Sequence, residues 1–173
     1  MSEGNFKACL DLVLKSEGGF VNNPSDPGGM TNLGVTKRVW EEYTGHEAEE
    51  KTMRGLTPEK VAPLYEQKYW RPCYCEVLPR GLDFLCFSFG VNAGCGRSVK
   101  ILQTSLGLIP DGIVGPRVRE KISQSNIADL IKNFSESRRE YYKSLKTFPI
   151  FGKGWISRTD REEQEALQMA KNS

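Results

Sequence analysis

This chain of 173 residues contains a single histidine, His46, set in the charged stretch GHEAEEKTMRG. Nucleophiles that work through a histidine, and zinc sites built on histidines, therefore have little to stand on. The five cysteines, Cys9, Cys73, Cys75, Cys86 and Cys95, are odd in number and show no paired CxxC spacing. That pattern argues against a disulfide framework, and no metal site is expected. Charge of one sign is not in excess, since 24 Lys and Arg face 22 Asp and Glu for a net +2. Electrostatics alone thus give no reason to expect nucleic acid as a partner. The pair Arg138-Arg139 and the run Lys51 to Arg54 lie among glutamates and read as solvated helix faces.

Other absences narrow the class further. Gly28-Gly29 lacks the following lysine and helix of a phosphate loop. No apolar run reaches membrane-spanning length, and the N-terminus MSEGNFKACLDLVLKSEGG has neither a basic n-region nor a cleavage site. The expectation is a chain made, and at first kept, in a cytoplasm. No repeat, low-complexity tract or long linker interrupts the sequence. What remains is a globular composition, 38% hydrophobic and 27% charged, long enough to bury its own core.

Periodicity points to helices almost throughout. Phe6, Cys9, Leu10, Val13 and Leu14 place a helix over about 5–17 that Gly18 and Gly19 end, with Glu17 on its last turn. FVNNPSDPGGMTNLGVT reads as a small hairpin, the only plausible β structure. Thr36 caps a helix to about Tyr43, a charged loop follows, and Thr57-Pro58 opens a helix to about Trp70. LDFLCFSFGVNAG from Gly81 is dense enough for a buried central helix, followed by one over 97–106. A short helix from Pro116, a long one carrying Ile127 to Leu145, and a last one after FPIFGKGW complete the chain. The fold class is mainly α, a helical bundle around a central buried helix with one β-hairpin near 20–36.

The chemistry concentrates in SEGGFVNNPSDPGGMTNLGVT, where Glu17 at a helix end is followed by Asp26 and Thr31. Glycoside hydrolysis needs one carboxylic acid to protonate the leaving oxygen and a second carboxylate to activate water or support the cationic centre. Glu17 and Asp26 can supply that pair. Each has a plainer alternative: Glu17 as a surface residue after a helix, Asp26 as a turn former before proline. Aromatic faces and amides suit sugar rings and N-acetyl groups, which nominates Phe20, Asn32, Tyr69, Trp70 and Asn92 as saccharide contacts. Phe89 reads as core. Asn92 stands out because an unsatisfied amide within an apolar helix would cost roughly 1–3 kcal/mol.

EGGF followed by NNPSDPGGMTNLGVT resembles the signature of the glycoside hydrolase 108 muramidases, a family that includes phage endolysins. The usual EGGY is EGGF here, at Phe20. The order Glu17, Asp26, Thr31 also resembles the catalytic set of phage-type lysozymes, where the aspartate-to-threonine gap is slightly longer. Those residues serve as general acid, water-positioning carboxylate and hydroxyl partner. The likeness continues through YEQKYWRP, FGVNAGCGRSVKILQTSLGLIPDGIVGP and FGKGWISR. Ser88 stands where relatives often carry an aspartate, so no catalytic role is carried onto it.

The resemblance implies a lysozyme-like catalytic region, 1–92, and a closely packed peptidoglycan-binding subdomain, 93–173. LQTSLG-x3-DGIVGP separately resembles half of a peptidoglycan-binding repeat, with Asp111-Gly112 and Gly115-Pro116 setting turns. It implies a monomeric N-acetylmuramidase with no cofactor, bacterial peptidoglycan as its partner, and a separate holin to admit it from the host cytoplasm to the wall. Two alternatives stay open: a lytic transglycosylase, and a peptidoglycan-binding protein without turnover.

Overall fold

A computed structural model describes residues 3–23 and 29–172. The chain forms two compact units, 3–68 and 69–172. The boundary proposed from sequence, 92/93, falls at the last residue of a helix in the second unit. Among the described residues, no helix is long and apolar enough to cross a membrane.

The first unit opens with α1 (Glu3–Ser16), which packs Cys9, Leu10, Val13 and Leu14 inward at helical spacing. Three short strands follow: β1 (Val21–Asn22), β2 (Met30–Asn32) and β3 (Val35–Thr36), antiparallel in the order β1-β2-β3. The stretch 20–36, read from sequence as one small hairpin, thus holds three short strands, with a tight hairpin joining β2 to β3. Thr36 then accepts from the Val39 amide over 3.1 Å and caps α2 (Lys37–Thr44), which ends at Gly45 in the left-handed region.

The charged stretch read as a loop contains a short helix, α3 (Glu50–Arg54). Met53 and Ala48 are buried there, two apolar anchors among glutamates that the charge pattern concealed. The Thr57 hydroxyl caps α4 (Pro58–Tyr65), which packs against α1 and widens into a π-helical turn, Glu66–Trp70.

In the second unit, a 3-10 turn (Cys75–Val77) precedes α5 (Leu82–Ala93), whose residues 82–90 are all buried. It is the central helix expected from the apolar run, covered by α6 (Cys95–Ser105), α8 (Ile127–Lys143) and α9 (Phe148–Lys171), with α7 (Pro116–Ser123) between. The last helix starts earlier than the sequence suggested, because FPIFGKGW is itself helical. Pro149 stands in its first turn, where a missing N–H loses no helical bond.

Arg138 and Arg139 are not a solvated face. Arg138 is 0% exposed and pairs with buried Glu162 over 2.7 Å, while Arg139 bridges Glu136, Asp160 and Glu163. α8 lies along α9, so the arginines on its packed side meet the acids of a helix distant in sequence. Of the second basic run, Lys51 and Arg54 are exposed as expected.

Candidate active site

Glu17 follows α1 directly, its amide donating to the Leu14 carbonyl over 3.2 Å. Beside it runs the two-residue turn Leu33-Gly34 that joins β2 to β3. Both turn residues have positive φ, 53° and 75°, the conformation that matches a tight hairpin to the twist of its strands. Leu33 is held there from both sides. Its amide donates to the Gly18 carbonyl over 3.0 Å, and its carbonyl accepts the Tyr65 hydroxyl of α4 over 2.7 Å.

Gly34 leaves the room in which the carboxylate lies. A Cβ at Gly34 would stand 2.6 Å from Tyr65 Oη, 2.9 Å from Glu17 Cγ and 3.0 Å from Glu17 Oε2. Glu17 therefore shares one small space with the Tyr65 phenol, half-buried at the end of a helix. Neither Gly34 nor Tyr65 was singled out from sequence. The available signals were the Leu-Gly pair between two β-favouring segments and a tyrosine on the apolar face of α4.

The other residues named from sequence fall into three groups. Thr31 is half-buried at the centre of the sheet, paired with Val21 and Thr36, and its strand runs into the turn beside Glu17. Phe20 is half-buried with the Arg54 guanidinium 4.1 Å from its ring centroid. Asn32, 6% exposed, donates its amide to the Met53 carbonyl over 2.8 Å and closes the end of α3. Asp26 lies outside the described residues.

Tyr69, Trp70 and Asn92 belong to the second unit. Trp70 is buried with its ring edge-on to Phe87, and half-buried Tyr69 lends its carbonyl to Cys73. Asn92 is exposed, and its Oδ1 accepts the Tyr142 hydroxyl over 2.8 Å. Tyr142 in turn stacks on Trp155, whose far neighbour Phe151 is exposed. An amide donor thus stands beside a short aromatic stack. Phe89 is core, edge-to-face with Phe134, Tyr141 and Tyr142.

Ser88 joins a buried ionic cluster: its hydroxyl lies 2.8 Å from both Glu162 carboxylate oxygens and accepts from Arg158. Burial works against the Glu162 charge, but the Arg138 and Arg158 guanidiniums, with hydrogen bonds from Arg138 and Ser88, hold its carboxyl below the usual range. Asp111 is likewise held low, first by the Gln103 amide and then by the Ile113 N–H. The Asp111-Gly112 turn is pinned by buried Gln103, which also accepts from Gly112.

The glycosyl hydrolase 108 family model matches residues 10–94, a span that contains Glu17, Thr31, Gly34 and Tyr65. Among solved structures, that of Brucella abortus SagA matches with a TM-score of 0.85 at 32% sequence identity, covering 99% of this chain and 98% of that one. No curated protein matches this chain.

Proposed function

Because the chain belongs to the glycosyl hydrolase 108 family, and is thus a lysozyme-like glycoside hydrolase of peptidoglycan, we propose that it is an N-acetylmuramidase with Glu17 as its acid. The bond cleaved is the β-1,4 link from N-acetylmuramic acid to N-acetylglucosamine. The placement of Glu17 carries this reading: a half-buried carboxylate at a helix end, lying beside the Leu33-Gly34 turn and the Tyr65 phenol.

In the proposed reaction Glu17 gives its proton to the leaving oxygen. Asp26, nine residues on, acts as the second carboxylate, and Thr31 helps to orient the attacking water. Holding the acid in a fixed geometry is itself a large part of the rate, since misplacement by about 1 Å can cost about 100-fold. Phe20 in the first unit, and Tyr69 and Asn92 in the second, are the proposed saccharide contacts; Asn32 and Trp70, also named from sequence, are buried. Residues 93–173 are proposed as the wall-binding part, and host lysis as a monomer after entry through a holin as the biological role.

Purified peptidoglycan, wild type and Glu17→Gln test the assignment, with circular dichroism confirming that both are folded. Loss of clearing in the variant alone supports Glu17 as the acid; equal clearing removes it from the mechanism. Mass spectrometry of the wild-type products then separates hydrolysis, which adds water, from a transglycosylase, which leaves a 1,6-anhydro end.

A further inference from the structure

The second unit carries four thiols for which glycoside hydrolysis has no use. Cys73, Cys75 and Cys86 are buried and Cys95, the first residue of α6, is half-buried; none is in a disulfide. Gly90 of α5 marks where two of them meet. A Cβ there would stand 2.3 Å from Cys73 Sγ and 3.3 Å from Cys95 Sγ, so the pair fills the space that a side chain would need. The Cys95 thiol donates to the Tyr69 carbonyl over 3.3 Å.

The hydrogen bond with Cys75 pushes the Cys73 thiol up, the bond with Cys73 and then burial do the same to Cys95, and burial raises Cys86. At rest the cluster is therefore neutral thiol. Among the described residues no group of three or more His, Cys, Asp or Glu is arranged to hold a metal ion. Two neighbouring sulfurs, one of them on a half-buried residue, have a different chemistry open to them.

We propose that Cys73 and Cys95 close into a disulfide when the protein meets a small-molecule disulfide such as oxidised glutathione. Cys95 is the entry point, because it is the only half-buried member of the cluster. Its thiol, neutral at rest, must first lose a proton to solvent, which makes this the slow step; the thiolate then attacks one sulfur of the oxidant, expelling a thiolate that takes up a proton. Cys73 then loses its proton and attacks the Cys95 sulfur, releasing the second small thiol. Two protein S–H bonds give one S–S bond, and the oxidant is reduced by two electrons to two thiols. The link encloses α5 and ties the segment after the π-helical turn to the start of α6, which constrains the unfolded chain. This proposal does not depend on the hydrolytic reading.

Full-length protein is incubated with oxidised glutathione, alkylated and mapped by mass spectrometry without reduction. The expected result is a Cys73–Cys95 linked peptide in a monomeric protein, with a Tm several degrees higher that a reductant returns to its starting value. Cys73→Ser and Cys95→Ser remove the link and the shift, whereas Cys9→Ala, in the first unit, keeps both. Full alkylation of all five cysteines, a Cys73–Cys75 link, a lasting glutathione adduct on Cys95 or a Cys95-linked dimer would each overturn the proposal. Should a serine variant fail to fold, the wild-type map decides by itself.

Discussion

Glu17 lies against the bare α-carbon of Gly34, its Cγ only 2.9 Å from the point a methyl group there would occupy. The same methyl would meet Tyr65 Oη at 2.6 Å. A hairpin turn, a helix end and a phenol thus compete for one volume, and the glycine lets all three share it.

Gly34→Ala should therefore disturb the acid more than the fold. The left-handed φ of 75° costs a non-glycine residue about 1–2 kcal/mol, and the methyl forces Glu17 or Tyr65 aside. Clearing should fall by on the order of 100-fold while circular dichroism still reports a helical protein. Unchanged clearing would show that Glu17 does not depend on this contact.

Tyr65→Phe removes the hydroxyl that anchors the Leu33 carbonyl. The expected stability loss is about 1 kcal/mol, with clearing slowed severalfold. Because the phenyl ring also removes the 2.6 Å contact, the double variant with Gly34→Ala should be less impaired than the two single losses combined. Strict additivity in clearing rates would argue against a shared space.

Glu162→Gln tests the buried cluster. It leaves the fully buried Arg138 without a counter-charge, for a loss of about 3–5 kcal/mol in denaturant unfolding. The Glu162 carboxyl is depressed in the folded state, so its stabilisation is complete above the ordinary glutamate value near 4.3 and is lost as pH falls through the folded value. Wild-type Tm should drop on acidification below about pH 4, and the variant should show a flatter profile. Parallel profiles would mean that another group governs acid unfolding.

Gln103→Leu should loosen the segment around Asp111 without unfolding the helices. Buried Gln103 donates to Asp111 and the Ile113 carbonyl and accepts from the Gly112 amide. Its loss should cost roughly 1–3 kcal/mol and speed amide exchange over residues 107–115 in particular. Exchange that rises evenly over the second unit would contradict a local pin.

Local rules made much of this chain readable. The Thr36 and Thr57 caps, the end of α1 before Gly18, the strands around 20–36 and the buried run of α5 all follow from short-range spacing and capping chemistry. Glu17 was legible for the same reason, since a helix end and a glycine pair are local features. Short helix α3 was not, because two buried anchors among glutamates carry too weak a periodicity.

By itself, then, the sequence determined the helical class, the small sheet and the family to which the signature around Glu17 belongs. Tertiary structure alone decided which partners lie across the chain. Arg138 is a core ion because α8 lies along α9, Asn32 is tied to the end of α3, and Gly34 faces Glu17 and Tyr65. Charge pattern cannot reveal such pairings: the same arginine is a solvated cation or half of a buried pair according to what a distant helix places opposite it.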